Sequence, residues 1–248
     1  MNWKVYFRGV SVVARKDMRI YYRKAPVFIF GLILPTFLFF AFFVGRELDI
    51  NKYFPGFLAM SLFFTSSSVG PLIVPWEKQQ GTFERLLSYP VSISTIVLGD
   101  TIAGALFGLL ISTIVAVAGI LIIPISVTSI ALIFVAFILG NLCFSGLGVL
   151  LSSPGGRAPA NIMMLAALVR FPLIFISGIF IPLSGMTGAA KYITYCSPLT
   201  YLVDALNHSM GQAYVFSWWT DLLVLAGFMV VFVAVAIAVL KRKSLKGL

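Results

Sequence analysis

The chain has 248 residues, of which 60% are hydrophobic and 10% charged, with a mean hydropathy of +1.04. That leaves too little polar surface for a water-soluble globule, so the composition specifies an integral membrane protein. The net charge of +10 belongs with a membrane surface and not with nucleic acid, because it accompanies long uncharged apolar runs. One His and two Cys exclude a multi-ligand zinc, haem or iron–sulfur site.

Residues 3–24 read as one amphipathic helix lying along the membrane. At about 100° per residue, Trp3, Phe7, Val10, Ala14, Met18 and Tyr21 form an apolar stripe, and Lys4, Arg8, Arg15 and Arg19 form a basic one beside it. Apolar atoms then enter the acyl boundary while the cations meet anionic headgroups, at about 1 kcal/mol each. Asp17 interrupts the apolar side.

A helix crossing the bilayer needs about 20 apolar residues. Six runs qualify, at 25–45, 55–76, 101–123, 127–151, 160–182 and 220–240. They are continuously apolar, whereas barrel strands alternate, so the expected fold is all-α. The interfacial helix spans 1–24, and 25–248 forms a single six-span domain. All Lys and Arg except Arg46, Lys52, Arg170 and Lys191 fall on one side of the spans. Both termini are therefore expected in the cytoplasm. Cys143 lies inside the fourth run and Cys196 outside the spans, so the two should not bridge.

Between the second and third runs lies the longest charged stretch, residues 77–90. Gly81 breaks the incoming helix, Thr82 is the expected N-cap, Glu84 suits the positive end of the first turn and Pro90 marks a stop. This predicts a short cytoplasmic helix. Its apolar side of Phe83, Leu86 and Leu87, flanked by Glu77, Glu84 and Arg85, serves either a docking partner or packing on the chain's own bundle or lipid.

Arg170 is the charge inside a run, and it needs a carboxylate, carbonyls, water or a snorkelling route. Asp100 is one candidate partner; a substrate-facing or gate role and simple structural satisfaction are the alternatives. Thr65, Ser66, Ser67, Ser68 and Asn141 either line a route or bond to nearby backbone. Gly104 and Gly108 permit close helix packing. Asp221 reads as a solvated helix-end carboxylate and His208 as an external polar residue. After Pro182 the chain is too broken and polar for another span, and two short half-helices dipping back into the membrane fit 183–218, with an ordinary loop as the alternative.

The order Glu77, Gly81-Thr82, Glu84, Leu86-Leu87 and Pro90 resembles the inner-loop motif of ABC transporter permeases of the second exporter type, such as the daunorubicin-resistance and nodulation-factor export permeases. Ser177-Gly178-Ile179-Phe180-Ile181-Pro182-Leu183 and the run from Ser197-Pro198-Leu199 through Tyr201 and Asp204 to Leu206 resemble the late signatures of the same family. The resemblance covers nearly the whole chain. Relatives commonly end the second signature with a basic residue, where this chain has Asn207.

The resemblance implies that residues 77–90 form a coupling helix seated on a separate ATP-hydrolysing subunit, through Glu77, Gly81, Thr82, Phe83, Glu84, Arg85, Leu86, Leu87 and Pro90. It implies a re-entrant external segment and makes Arg170, Ser177, Gly178, Pro182, Pro198, Tyr201 and Asp204 candidate pathway or gate residues. ATP and magnesium would sit on the partner, since the sequence holds no Gly-x-x-x-x-Gly-Lys-[Ser/Thr] loop. Two such chains, or this one with a similar partner, would join two ATPase subunits in the plasma membrane and move a drug, lipid, glycolipid or polymer precursor outward. The residues alone leave an ion-coupled carrier or a channel as the alternative. An intramembrane enzyme would need a nucleophile with a base, or clustered metal ligands, which the sequence does not offer.

Overall fold

The computed structural model describes residues 3–22, 24–45, 49–89, 91–122, 125–154, 158–186 and 188–244, and the regular structure among them is helical throughout. In chain order come α1 (Trp3–Ile20), then α2 (Ala25–Phe28), a π-helical turn (Ile29–Ile33) and α3 (Leu34–Phe43), which together fill the first apolar run. The second run holds α4 (Ile50–Ser67) and α5 (Gly70–Gln79), followed by the inner-loop helix α6 (Thr82–Leu87). α7 (Ile93–Ile122), α8 (Ile130–Ser152) and α9 (Pro159–Ile176) are the third to fifth runs. A 3-10 turn (Leu183–Gly185), α10 (Ala189–Tyr195) and α11 (Pro198–Ser209) lead to α12 (Trp218–Ser244).

Among the described residues, five units are long and apolar enough to cross a membrane: Ile50–Gln79, Ile93–Ile122, Ile130–Ser152, Pro159–Ile176 and Trp218–Lys243. The first run is helical over 25–43 but contributes a shorter apolar stretch, Gly31–Ala41. Pro35 is the physical reason for its irregularity. It has no N–H for the Gly31 carbonyl, and just upstream the ladder widens to π spacing, with the Leu34 N–H donating to the Ile29 carbonyl. Thr36 Oγ1 donates to the Leu32 carbonyl at 2.7 Å, supplying a side-chain donor within the irregular turn.

α4 and α5 form the central rod, nearly all of it buried, packed on α7, α8, α9, α11 and the first-run helix. Its large side chains Phe54, Leu58, Phe63 and Phe64 fill the core with Phe144 and Leu202. α7 approaches this rod and α8 closely because it presents glycine there: a Cβ on Gly104 would lie 2.1 Å from Ser145 Oγ, and one on Gly108 2.1 Å from Asn141 Oδ1. Ser145 Oγ uses that proximity to donate to the Thr101 carbonyl at 2.7 Å. The hydroxyls of α4 turn inward on their own helix, Thr65 donating to the Ser61 carbonyl at 2.8 Å and Ser66 to the Leu62 carbonyl at 2.7 Å. Asn141 Nδ2 likewise bonds the Phe137 carbonyl at 2.8 Å. The hydroxyls of the cluster are thus satisfied by backbone, while Asn141 Oδ1 is buried without a donor.

Gly70 sets the tightest backbone approach, since a Cβ there would meet the Gly148 carbonyl carbon at 2.6 Å. Backbone cannot rotate away as a side chain can. Gly70→Ala should therefore cost about 1–3 kcal/mol. Gly227→Ala, where nothing lies within 4 Å of the new methyl, should leave stability unchanged or raise it by up to about 1 kcal/mol through helix propensity. Thermal unfolding of the two detergent-solubilised variants measures the contrast.

Candidate functional site

The inner-loop helix begins where Gly81, at φ +67°, turns the chain out of α5 in a conformation that side-chain-bearing residues rarely adopt. Gly81 itself occupies the N-cap position expected for Thr82. Thr82 is instead the first helical residue, and its Oγ1 reaches back to the Glu77 carbonyl at 3.2 Å. Phe83 is 2% exposed and inserts among Val74 of α5, Val97 of α7, Val149 of α8, and Ala236 and Leu240 of α12. Leu87 packs against the same cluster. The expectation of an apolar side free for a partner is therefore corrected for Phe83 and Leu87, which the bundle itself takes up. The outward face consists of Thr82, Glu84, Arg85, Ser88 and Tyr89, with Leu86 half-buried; Pro90 lies outside the described residues.

Glu77 does not belong to that outward face. It is 2% exposed and accepts a hydrogen bond from Lys16 Nζ of α1. The same ammonium stands 3.0 Å from Asp17 Oδ1. Asp17 is fully buried, and its carboxyl faces that of Asp100 on α7, which is buried as well. α1 reaches α7 here because residue 99 is glycine: a Cβ there would strike Val13 Cγ1 at 2.5 Å. Tyr21 stacks on Trp76 at 5.5 Å and 13°, and Lys24 Nζ covers the Trp76 ring at 4.0 Å. Burial works against the Lys16 charge, but Asp17, Glu77 and Asp100 outweigh it and hold the ammonium above its ordinary range. Lys4, Arg8, Arg15 and Arg19 remain exposed around this seat, together with Trp3 and Phe7.

Sequence reasoning missed Lys16 altogether and treated Asp17 as an interruption. The available signal was an acidic residue on the helix face whose neighbours Val10, Val13 and Ala14 become buried.

Arg170 does not pair with Asp100. Its guanidinium is buried and donates through Nη2 to the Ser67 carbonyl, at the break between α4 and α5. Pro71, four residues after Ser67, has no N–H to offer that carbonyl. Arg170 supplies the missing donor from α9.

The segment between α9 and α12 holds two short helices, α10 and α11. Ser177 Oγ donates to the Ile174 carbonyl at 2.8 Å, and Gly178, at φ +87°, ends α9 six residues before the predicted end of the fifth run at 182. Gly178 and Pro182 meet Val203 and Asn207 around a cavity of about 70 Å³. Pro198 opens α11, which packs on α4, α8 and α12. The Tyr201 hydroxyl donates to the Tyr195 carbonyl at 2.8 Å. Asp204 is fully buried and accepts from the Val215 N–H at 3.0 Å and the Phe216 N–H at 2.7 Å, closing the turn into α12. Arg170 takes no part in this group. Asp221, expected in solvent, is fully buried where α12 packs on α11. His208 stacks on Tyr214 at 4.1 Å. Cys143 is buried and Cys196 exposed, both with free thiols.

The Arg170 contact makes a sharp expectation. Arg170→Met should leave the Ser67 carbonyl unpaired and cost about 1–3 kcal/mol. Adding Pro71→Ala restores a backbone N–H to that turn, so the double variant should recover part of the loss. A double-mutant cycle in thermal unfolding reads the recovery, and additive losses would show that the carbonyl is not what Arg170 serves.

No curated protein matches the chain. The family model for the ABC-2 type transporter matches residues 8–211, from the interfacial helix through the inner-loop helix to the end of α11. With an all-helical bundle of apolar membrane helices on the same residues, the chain belongs to the ABC-2 type transporter family and is a multi-pass membrane permease.

Proposed function

We propose that the chain is the permease subunit of an ATP-driven exporter, energised by a separate ABC-type ATPase that carries the ATP and magnesium. The single observation that carries this reading is the construction of α6. One buried aromatic, Phe83, roots α6 in an apolar cluster that also holds residues of α5, α7, α8 and α12, while the opposite face offers Glu84, Arg85, Ser88 and Tyr89 to the exterior. A push on the polar face would enter the bundle through this cluster. A connector without a mechanical load needs no such root.

Two copies, or this chain with a similar permease, would pair with two ATPases in the plasma membrane, the termini and α6 facing the cytoplasm. Cargo would be hydrophobic or amphipathic, as for a drug, lipid, glycolipid or polymer precursor. Gly178, Pro182 and the α11 segment with Tyr201 and Asp204 would form the outer part of its path, with Ser177 and Pro198 fixing the helix ends. Lys4, Arg8, Arg15 and Arg19 would hold α1 on anionic lipid. Arg170 is reassigned from a gate to support of the central rod, which weakens the ion-coupled alternative, because that reading had no other charge in mid-span.

The test is coexpression with the ABC ATPase encoded beside it, followed by copurification and by transport and ATP hydrolysis in vesicles. Glu84→Arg should weaken association about tenfold, equivalent to about 1.4 kcal/mol, with the melting temperature of the isolated permease unchanged. Phe83→Ala should instead lower that melting temperature, the core loss being about 3–5 kcal/mol. Association and coupling unaffected by Glu84→Arg would reject α6 as the docking element.

A further inference from the structure

The charged seat beneath α1 holds three carboxyls and one ammonium. Lys16 is committed to Glu77 and lies beside Asp17. The carboxyl oxygens of Asp100 have no hydrogen-bond donor, and Asp100 is 1% exposed. The groups facing the cluster come from each packed element: Lys16, Tyr21 and Tyr22 from α1 and its end, Glu77 from α5, and Asp100 itself from α7. Tyr21 and Tyr22 supply no cation. Lys24 caps the ring pair Tyr21–Trp76 on its outer side. Two carboxylates cannot stay ionised face to face in a buried site with one cation already shared.

We propose that Asp17 and Asp100 share one proton, and that this proton, together with the Lys16–Glu77 ion pair, latches the interfacial helix to the stem of the inner-loop helix and to the third span. The latch joins three elements through side chains that are otherwise unfavourable to bury. α1 is held through Lys16 and Asp17, α5 through Glu77 just before α6, and α7 through Asp100. Any displacement of α6 relayed along α5 therefore carries α1 with it. The latch is a property of the chain alone and holds whichever way the transporter runs.

Burial raises the affinity of Asp17 for its proton, with the hydrogen bond from Asp100 and the charge of Lys16 opposing. The native state thus binds more protons than the unfolded chain. Its stability should fall as pH rises from the ordinary carboxylate range through the titration of Asp17. The neutral isostere Asp100→Asn keeps a donor to Asp17 and removes the titration.

The experiment uses the purified full chain in detergent and in vesicles. Infrared difference spectra between neutral and alkaline pH, where exposed carboxyls are already ionised, should contain the carbonyl stretch of a protonated carboxylic acid, diminished in Asp100→Asn. In thermal unfolding, Asp100→Asn should match the parent at neutral pH and lose the pH slope, while Asp100→Ala should be clearly less stable. Lys16→Gln should destabilise, and Lys16→Gln with Glu77→Gln should recover much of the loss. A variant Asp100→Asn as unstable as Asp100→Ala, or a parent spectrum without the acid band, would overturn the shared proton. Absence of recovery in the Lys16 and Glu77 pair would overturn the latch.

Discussion

A peptide carbonyl freed inside a bilayer has to find a donor within the protein, and the Ser67 carbonyl is the case on which this bundle turns. Pro71 withholds the N–H that would close the helix at that point, and the rod through the centre of the molecule breaks into α4 and α5. Arg170 fills the gap from α9. The arrangement gives the carbonyl a donor and the guanidinium an acceptor for Nη2, while Arg170 Nε stays buried without a partner. It also places the bend in the rod at the level where Gly70 lies against Gly148, so α8 can follow the altered course of the chain. α9, lightly packed elsewhere, is tied to the centre by this contact.

Much of the architecture was legible because hydrophobic length is written directly in sequence. Five of the six apolar runs appear as helices of crossing length, and Gly81 with Glu84 placed the start of α6 to within a residue. What was not legible depended on which helices touch. That Arg170 needed a partner followed from hydropathy, yet the partner is a backbone atom exposed by a proline about a hundred positions earlier, which no side-chain pairing rule finds. Asp17 looked like a flaw in a stripe because a helical wheel knows nothing of Asp100 arriving from α7. Asp221 stands at a helix start, where solvent is the usual neighbour, but α11 folds back and covers it. The apolar side of α6 left a partner and the chain's own bundle both open, and only the burial of Phe83 with residues of α7, α8 and α12 shows what occupies that face.

The two ends of the bundle solve different problems with the same chemistry. At the end that carries α10 and α11, Asp204 uses its carboxylate to collect two backbone N–H groups and Tyr201 bonds the Tyr195 carbonyl, so a stretch too irregular for a span becomes a closed cap. Each partner there is a neutral dipole close in sequence, and the geometry needs no second element to complete it. At the α6 end the partners are charged and come from α1, α5 and α7.

That difference bears on how motion would travel. A cap built from local bonds stays intact when neighbouring helices shift, because its donors and acceptors move together. A junction built from charges on three elements resists relative motion, since separating them leaves a buried ion without its partner, and the penalty grows steeply with distance in a low-dielectric setting. Phe83 adds a nonpolar root into the same region from α6. The stiff parts of the molecule therefore lie beside the inner-loop helix, where a force is proposed to enter, and the span beyond the break at Ser67 joins them to the outer cap. The bend between α4 and α5 is pinned on one side by the approach of Gly70 to Gly148 and braced on the other by Arg170, so the rod passes force through a fixed angle.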